Sequence, residues 1–333
     1  MTAARNRKIR WGVLGYARIA RENVIPAIVR SANSELYALA SRDEAKLTEA
    51  RTRFSLTKAY VGYDMLLRDP AVDAVYIPLP NSQHREWALR AMEHGKPVLC
   101  EKPLGLNAGE VREMNAAAVK HRVHLMEAFM YRYTDRIAKV REVIRSGALG
   151  EIRFVSASFR FLLNRPGCIK LQPDLGGGAL YDVGCYPVNF IGLVADEAAR
   201  QPGSGAVRPE SVAAAAVREG GIDVSFSAVL KYASGLVGAA HCGFNTHKRV
   251  CAEIVGTAGV LEIPDPFFDN AGAITLTLGE TRRDIPVMES DRYCREIEDF
   301  ADAILQERPP QFSLAESLRN AEVIDRLFAA ANA

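Results

Sequence analysis

The sequence predicts an α/β protein: a Rossmann domain built on a parallel sheet, then an α+β C-terminal domain with an open-faced, mostly antiparallel sheet. In the first part, apolar strands alternate with helices, which is typical of a doubly wound parallel sheet. The motif G-x-A-x-x-A follows the first strand and is a relaxed dinucleotide fingerprint. The second part contains eight predicted strands, several of them joined by short Gly- or Ser-containing turns, which indicates antiparallel pairing.

Length and composition bound the class of protein. The 333 residues favour two domains, a dinucleotide-binding domain over 1–128 and a substrate-binding and oligomerisation domain over 129–333. The formal net charge of +2 gives no electrostatic reason for a nucleic-acid or membrane partner. Six cysteines without a CxxC pair indicate reduced thiols and no metal site. Since no apolar run approaches the ~20 residues of a membrane span, we expect a cytoplasmic protein.

The turn after the first strand is the first candidate cofactor site. Residues 9–14 form the strand, which leads into the letters GYARIA. A glycine can make the tight turn, and small residues let backbone approach a pyrophosphate at the positive end of the helix. The alternative is that the small residues serve packing alone. We expect the cofactor to contact Gly15, Tyr16, Ala17, Arg18 and Ile19.

The end of the second strand indicates which dinucleotide binds. The strand at 36–40 is followed by Ser41 and Arg42, and Lys46 lies one turn along the next helix. A hydroxyl and two cations suit the 2′-phosphate of NADP, whereas NAD enzymes carry an acid near this place for the ribose hydroxyl. Asp43 is better explained as the N-cap of the helix. Arg42 and Lys46 could instead be solvated surface charges, but we favour NADP(H).

The next strand, at 72–77, also ends in residues expected to face the cofactor. It runs into the letters PLPN, and a histidine lies in the first turn of the following helix. The predicted contacts are Pro78, Leu79, Asn81 and His84. A structural role for His84 is an equal alternative.

The stretch VLCEKPLG is the centre of the predicted active site. A buried parallel strand that ends in charged residues delivers them to the carboxyl edge of the sheet, where ligands bind. Pro103 keeps Lys102 extended, so the lysine stays at the strand end. We expect Glu101 and Lys102 to contact the cofactor and Lys102 to be catalytic. The alternative is a surface lysine before a turn proline.

A glycine-rich stretch at 176–189, GGGALYDVGCYPVN, is the second candidate for chemistry. Three glycines permit a close approach of backbone to a ligand. The spacing suits a helix from Ala179, which places Asp182 and Tyr186 on one face. A carboxylate and a phenol on one face could meet Lys102. The alternative is a glycine-rich loop and an ordinary buried tyrosine.

The second sheet is expected to carry helices on one face only. Its other face, predicted to be rich in Val, Ala and Phe, would then be an exposed apolar patch, so we expect a homodimer or homotetramer formed through it. Arg160, Arg165 and Lys170 surround the predicted cleft and could meet a diphosphate or be surface charges. A surface loop is expected at 201–209.

Three motifs together resemble the glucose-fructose oxidoreductase / inositol dehydrogenase (Gfo/Idh/MocA) family. They are WGVLGYARIA near the start, CEKPLG after the central strand, and GGGALYDVGCY. The resemblance covers essentially the whole chain. It implies a Rossmann domain, a C-terminal open-faced antiparallel sheet, and a catalytic lysine at Lys102, often with a cis peptide before the following proline.

Two departures from the family pattern narrow the resemblance. Many members have His where this chain has Tyr186, and Asp where it has Asn189. This disfavours an inositol-type dehydrogenase, and the stretch is most similar to sugar 3-ketoreductases of the kijanose type. That resemblance implies NADPH-dependent reduction of the C-3 keto group of a dTDP-linked 3,4-diketo-2,6-dideoxyhexose in antibiotic deoxysugar biosynthesis.

In such a reaction, Tyr186 is favoured as the proton donor and Lys102 polarises the carbonyl, although the two roles could be reversed. Asp182 would orient Lys102 or a substrate hydroxyl. One alternative keeps the fold and the cofactor but oxidises a free sugar or a trans-dihydrodiol. A second alternative is a cofactor-sensing regulatory protein, which could lose the donor pair without penalty.

Overall fold

A computed structural model of the chain describes residues 7–199 and 206–332. These residues form two compact units. The first contains the residues through Gly105, then Gly109–Met130 and Asp291–Leu314. The second contains Leu106–Ala108, Tyr131–Ser290 and the residues from Ala315 onward. Within the loop predicted at 201–209, residues 201–205 lie outside the described residues.

The first unit is a doubly wound parallel sheet, as predicted. Six strands lie in the order β3-β2-β1-β4-β5-β6, and every neighbouring pair is parallel. All four residues of β4 are buried, as expected for a parallel strand covered on both faces. The strands are β1 (Ile9–Leu14), β2 (Ser34–Ser41), β3 (Lys58–Val61), β4 (Ala74–Ile77), β5 (Val98–Glu101) and β6 (Leu125–Ala128).

Helices connect these strands. A π-helical turn at Ala20–Val24 leads into the first of them, and a 3₁₀ turn at Asn81–Gln83 precedes the fourth. The helices are α1 (Ile25–Arg30), α2 (Glu44–Arg53), α3 (Asp64–Leu67), α4 (His84–Glu93) and α5 (Ala108–His121).

Strand β3 was not predicted from the residue pattern. It is a short edge strand of four residues, none of which is buried, so it lacks the apolar run that marks the other strands. The position of the candidate site does not depend on β3. It depends on the neighbouring strands β1 and β4, where the strand order reverses direction along the sheet. Ligands of open α/β sheets bind at this switch point, beyond the carboxyl ends of the strands.

The second unit contains an eight-stranded sheet in the order β14-β13-β12-β11-β7-β10-β9-β8. All neighbouring pairs are antiparallel except β7 with β10, so the sheet is mostly antiparallel, as predicted. The strands are β7 (Ile152–Leu162), β8 (Ser211–Glu219), β9 (Ile222–Lys231), β10 (Val237–Gly243), β11 (Asn245–Gly256), β12 (Gly259–Pro264), β13 (Gly272–Leu278) and β14 (Thr281–Val287).

Two long helices of the second unit pack on one face of this sheet. Gly238 of β10 lies against Ile191 of α7 (Cys185–Ala199), and Phe226 of β9 lies against Phe328 of α9 (Leu314–Ala330), 5.9 Å between ring centroids. Helix α6 (Asp135–Ser146) ends at Gly147, which adopts the left-handed conformation. Helix α8 (Arg292–Leu305) belongs to the first unit, where Phe300 packs on Trp11, 5.8 Å between ring centroids.

Side chains alternate along each strand of the second sheet, so Phe159 and Phe226 lie on the helix-covered face. The opposite face carries small and polar side chains together with apolar ones, among them Phe154 and Val237, which pair across β7 and β10, and the exposed Val217 (53%) and Val229 (47%). Other members of this face on β8 and β9 are Ala213, Ala215, Ser225 and Ser227.

Candidate active site

Gly15 occupies the turn after β1. Its φ of +101° favours glycine, and its N–H donates to the Ala40 carbonyl, 2.7 Å away. A Cβ on Gly15 would lie 2.9 Å from the Leu79 side chain, so the backbone passes close to the end of β4. These features fit the tight turn of a dinucleotide site at the switch point.

The rest of the first motif surrounds this turn. Tyr16 is buried, and its ring packs edge-on against Phe54 with centroids 6.4 Å apart. Arg18 is exposed, whereas Ala17 and Ile19 are half-buried at the start of the helical segment. The predicted cofactor residues are therefore together at the turn, with Tyr16 directed toward the protein interior.

The end of β2 presents a hydroxyl and two cations. Ser41 is buried and its Oγ accepts a hydrogen bond from the Asp43 N–H, 3.1 Å away. Asp43 accepts from the first amides of α2, which confirms its predicted role as N-cap. Arg42 is exposed, 5.6 Å from the ring centroid of Tyr63, and Lys46 is exposed beside Asp43. The exposed cations are placed where a 2′-phosphate could be bound.

His84 connects two predicted site segments. Its ring is fully buried, with Nδ1 2.8 Å from the Pro103 carbonyl oxygen and Nε2 2.9 Å from that of Leu79. Burial lowers the pKa of His84, although both carbonyls act in the opposite direction. Because a neutral imidazole donates from one nitrogen only, the tautomer decides which carbonyl accepts. These contacts favour the structural alternative for His84.

The turn that carries Lys102 is held on both sides. The peptide bond between Lys102 and Pro103 is cis, as the family resemblance implied. Before it, Glu101 accepts a hydrogen bond from the Tyr76 hydroxyl at 2.7 Å; after it, the Leu104 N–H donates to Glu127 at 2.9 Å. The backbone of Lys102 is therefore fixed at the end of β5.

Tyr76 and Glu127 were not singled out from the sequence. Burial raises the pKa of Tyr76 well above its ordinary value, and the nearby charge of Glu101 acts in the same direction, so the phenol stays a donor. Glu127 is buried within the apolar letters LMEA of β6. A carboxylate inside an apolar strand can be recognised in the sequence as a residue with specific contacts, since burying it requires hydrogen-bond partners.

In the second unit, the glycine-rich stretch forms the start of a helix. A π-helical turn at Leu180–Gly184 leads directly into α7. The Asp223 carboxylate on β9 accepts a hydrogen bond from the Leu180 N–H at 2.7 Å. Gly178 has a φ of +123°, and the Gly178 N–H donates to the Lys170 carbonyl at 2.9 Å. The stretch is therefore anchored to β9 and to the preceding loop.

Asp182 forms an ion pair that was not expected from the sequence. Its carboxylate lies 2.6 Å from Lys170 Nζ, and the ammonium is also 5.6 Å from the ring centroid of Phe161. The expected partner of Asp182 was Lys102 or a substrate hydroxyl. Lys102 and Asp182 belong to different units, so within the second unit the partner is Lys170.

Tyr186 lies in the first turn of α7 and is 4% exposed. Three aromatic side chains surround its ring, at centroid distances of 5.8 Å (Tyr131), 5.6 Å (Phe159) and 5.4 Å (Phe267). We call these three residues the aromatic cage. Tilted and edge-on contacts of this kind are favourable and leave the ring few orientations. The phenol of Tyr186 therefore has a fixed direction.

A polar network supports the cage. The Tyr131 hydroxyl and the Arg132 guanidinium both donate to Asn189 Oδ1, at 2.5 and 3.1 Å. Arg132 also pairs with Glu316 at 2.8 Å. Burial raises the pKa of Tyr131, which keeps its hydroxyl available as the donor to Asn189. Asn189, where many family members were expected to have Asp, thus orients a neighbour of Tyr186.

Arg160 does not lie with these residues. Its neighbour Phe159 faces Tyr186, so alternation along β7 directs Arg160 to the opposite face of the sheet. There it donates to Ser227 at 3.4 Å, and Ser227 is also 3.0 Å from His241. Lys170, by contrast, lies beside Asp182.

Residues 7–199 and 206–332 contain neither a metal-binding cluster nor a membrane-spanning helix. No group of three or more His, Cys, Asp or Glu side chains is arranged to hold a metal ion. No helix in these segments is long and apolar enough to cross a membrane.

Comparison with known proteins gives a consistent family match. The sequence model for the GFO/IDH/MocA oxidoreductase family, NAD-binding Rossmann fold, matches residues 9–129. The model for the GFO/IDH/MocA C-terminal domain matches residues 137–262. The two matches cover the glycine turn, the lysine turn, and the helix that carries Asp182 and Tyr186.

Several characterised relatives match at similar identity. D-xylose 1-dehydrogenase (NADP(+)) 2 of Haloferax volcanii is 35% identical, with 96% of this chain and 97% of that protein covered. A trans-1,2-dihydrobenzene-1,2-diol dehydrogenase of Mus musculus is 34% identical over 77% and 74%. The dTDP-3,4-didehydro-2,6-dideoxy-alpha-D-glucose 3-reductase of Saccharopolyspora spinosa is 35% identical over 78% and 75%.

A solved structure matches along almost the full length. KijD10, a 3-ketoreductase from Actinomadura kijaniata crystallised with NADP and TDP-benzene, has a TM-score of 0.88 and 30% identity. The match covers 97% of this chain and 98% of that chain. Structures of KijD10 variants in which one tyrosine or one lysine is replaced match at similar TM-scores.

Proposed function

We propose that this chain, which belongs to the GFO/IDH/MocA oxidoreductase family, is a sugar 3-ketoreductase that acts on a dTDP-linked 3,4-diketo-2,6-dideoxyhexose. Its cofactor is NADP(H). The observation that carries the proposal is the full-length similarity to a 3-ketoreductase crystallised with NADP and TDP-benzene. The chain's own phenol in the aromatic cage and its lysine at the end of β5 supply the donors that a ketone reduction needs.

We assign a chemical role in the reaction to each proposed catalytic residue. NADPH supplies the hydride when bound. Tyr186 donates the proton to the developing alkoxide, and Lys102 polarises the carbonyl and assists ionisation of the phenol. Asp182, paired with Lys170, orients a substrate hydroxyl. The cage holds the Tyr186 ring in place before substrate arrives. Orienting the proton donor therefore contributes less to the activation free energy.

The cofactor contacts are proposed for the turn after β1 and the ends of β2, β4 and β5. We assign the NADP-binding part to residues 1–128 and the substrate-binding and oligomerisation part to 129–333. The exposed valines and small side chains on the open face of the second sheet support a homodimer or homotetramer formed there. A monomer by light scattering at assay concentration would contradict this assignment.

A substrate comparison tests the proposed function. We expect NADPH-dependent reduction of the dTDP-linked diketo sugar at a kcat/KM at least about a hundredfold above that for D-xylose or trans-1,2-dihydrobenzene-1,2-diol with NADP⁺. The measurement is nicotinamide absorbance with each substrate. If D-xylose is the better substrate, the chain is a free-sugar dehydrogenase, a second candidate that the 96% coverage by the Haloferax enzyme favours.

Arg42 tests the cofactor assignment. Arg42→Ala should weaken NADPH binding roughly 10- to 100-fold, since a hydrogen bond to a charged phosphate contributes about 1.5–3 kcal/mol. NADH binding should change little. Fluorescence titration of both cofactors measures the effect, with Arg51→Ala, an exposed arginine of α2, as the control. An equal loss of affinity for NADPH and NADH would mean that Arg42 does not bind the 2′-phosphate.

A further inference from the structure

Asp223 is a buried carboxylate to which the proposed reaction assigns no part. It is the second residue of β9, just after the turn Gly220-Gly221, and it is 2% exposed. Burial raises the pKa of Asp223 to about 6, and the amides of Leu180 and Ala179 act in the opposite direction. A buried carboxylate is costly unless such donors surround it.

Besides its own amide, its backbone donors are Leu180 and Ala179, at the start of the helix that carries Asp182 and Tyr186. Asp223 Oδ2 accepts from the Leu180 N–H at 2.7 Å. Asp223 Oδ1 occupies the space that a side chain at Gly178 would need. Both carboxylate oxygens therefore face the backbone of this segment.

The helix has no cap of its own at this end. Ala179 stands at the N-cap position and has no side-chain oxygen, while the first N–H groups of any helix lack partners within the helix. Asp223 supplies the missing acceptor from a neighbouring strand and places a negative charge at the positive end of the helix dipole. Arg218, paired with Asp223 across β8 and β9, is exposed and donates to Asn332.

We propose that Asp223 is a positioning residue, which fixes the start of this helix and thereby the direction of the Tyr186 phenol and the Asp182 carboxylate. The inference rests on the proposed catalytic role of Tyr186. Asp182 and Tyr186 follow Leu180 by two and six residues, which is less than two helical turns, so a displaced helix start moves both side chains. Asp223 itself touches neither the substrate nor the cofactor in this proposal.

A double-mutant cycle tests whether Asp223 acts through Tyr186. Asp223→Asn should lower kcat with the dTDP-linked diketo sugar by about 10- to 100-fold, as expected for a misplaced donor. The KM for NADPH should stay within about twofold. In the Tyr186→Phe background, Asp223→Asn should lower kcat by less than about twofold, because the group being positioned is already gone. An equal loss in both backgrounds would overturn the proposal.

Hydrogen exchange tests the helix start without any substrate. In the full chain, Asp223→Asn should accelerate amide exchange in residues 178–186 by about tenfold, whereas Glu219→Gln, an exposed control at the same turn, should not. Unchanged exchange would overturn the capping role. If Tyr186→Phe retains full turnover, the proposed function fails. The amide exchange rates still test whether Asp223 caps the helix. Should Asp223→Asn not fold, Asp223→Ser, which keeps an acceptor hydroxyl, replaces it in both measurements.

Discussion

Lys102→Ala and Tyr186→Phe should each lower kcat by about 10²–10⁴-fold, the usual contribution of a positioned proton donor or electrostatic partner. Tyr186→Phe removes one hydroxyl and keeps the ring that packs in the aromatic cage, so its thermal midpoint should stay close to that of the wild type. The measurement is steady-state kcat at saturating NADPH, with circular dichroism to confirm folding.

A control variant and a contradicting outcome complete the test of these two substitutions. Lys120→Ala removes an exposed lysine from α5 in the same unit as Lys102 and should leave kcat unchanged. Should Lys102→Ala and Tyr186→Phe both retain near-native turnover, neither residue is a catalytic residue of the reaction. The regulatory alternative would then regain support, because a cofactor sensor has no need of the donor pair.

Gly178→Ala should destabilise the protein by about 2–6 kcal/mol, from two separate causes. A non-glycine residue in a sparsely populated conformation costs about 1–3 kcal/mol, and here φ is +123°. The new Cβ would also displace the Asp223 carboxylate, and a buried charge deprived of its donors costs about 1–3 kcal/mol more. Urea unfolding followed by circular dichroism measures the loss.

Gly220→Ala is the matched control for this prediction. Gly220 also has a positive φ, +58°, but a Cβ there would meet no atom within 4 Å. It should therefore cost only about 1–2 kcal/mol, the intrinsic penalty of the left-handed conformation. Equal losses at Gly178 and Gly220 would show that the contact with Asp223 contributes nothing.

Much of the fold could be predicted from residue patterns. The second sheet has the eight strands that were predicted, because most of them combine alternating apolar residues with a turn signal. Edge strand β3 was missed since it buries nothing. The parallel pairing of β7 with β10 could not be predicted, because it joins strands that are distant in the chain.

The candidate site was predictable only where a motif marks it. Strand β5 delivers Lys102 to the sheet edge, and the glycine-rich stretch starts a helix, as the sequence indicated. Of the residues that orient these groups, Glu127 carries a local signal, a carboxylate inside an apolar strand. Glu127, Lys170 and Asp223 find their partners through tertiary pairing, and the pairing of Lys170 with Asp182 was not predicted.

The chain order of the first unit bears on how the protein is made. Its core includes Phe300 of α8, which packs on Trp11 of β1, although the whole second sheet lies between them in the sequence. Asn33 likewise binds the Glu298 carbonyl, 2.9 Å away. A ribosome delivers these partners after the whole second sheet, so the core of the N-terminal sheet is completed by residues near 300. Domains of many proteins fold one after another during synthesis; this first unit is completed only after the strands of the second sheet have emerged.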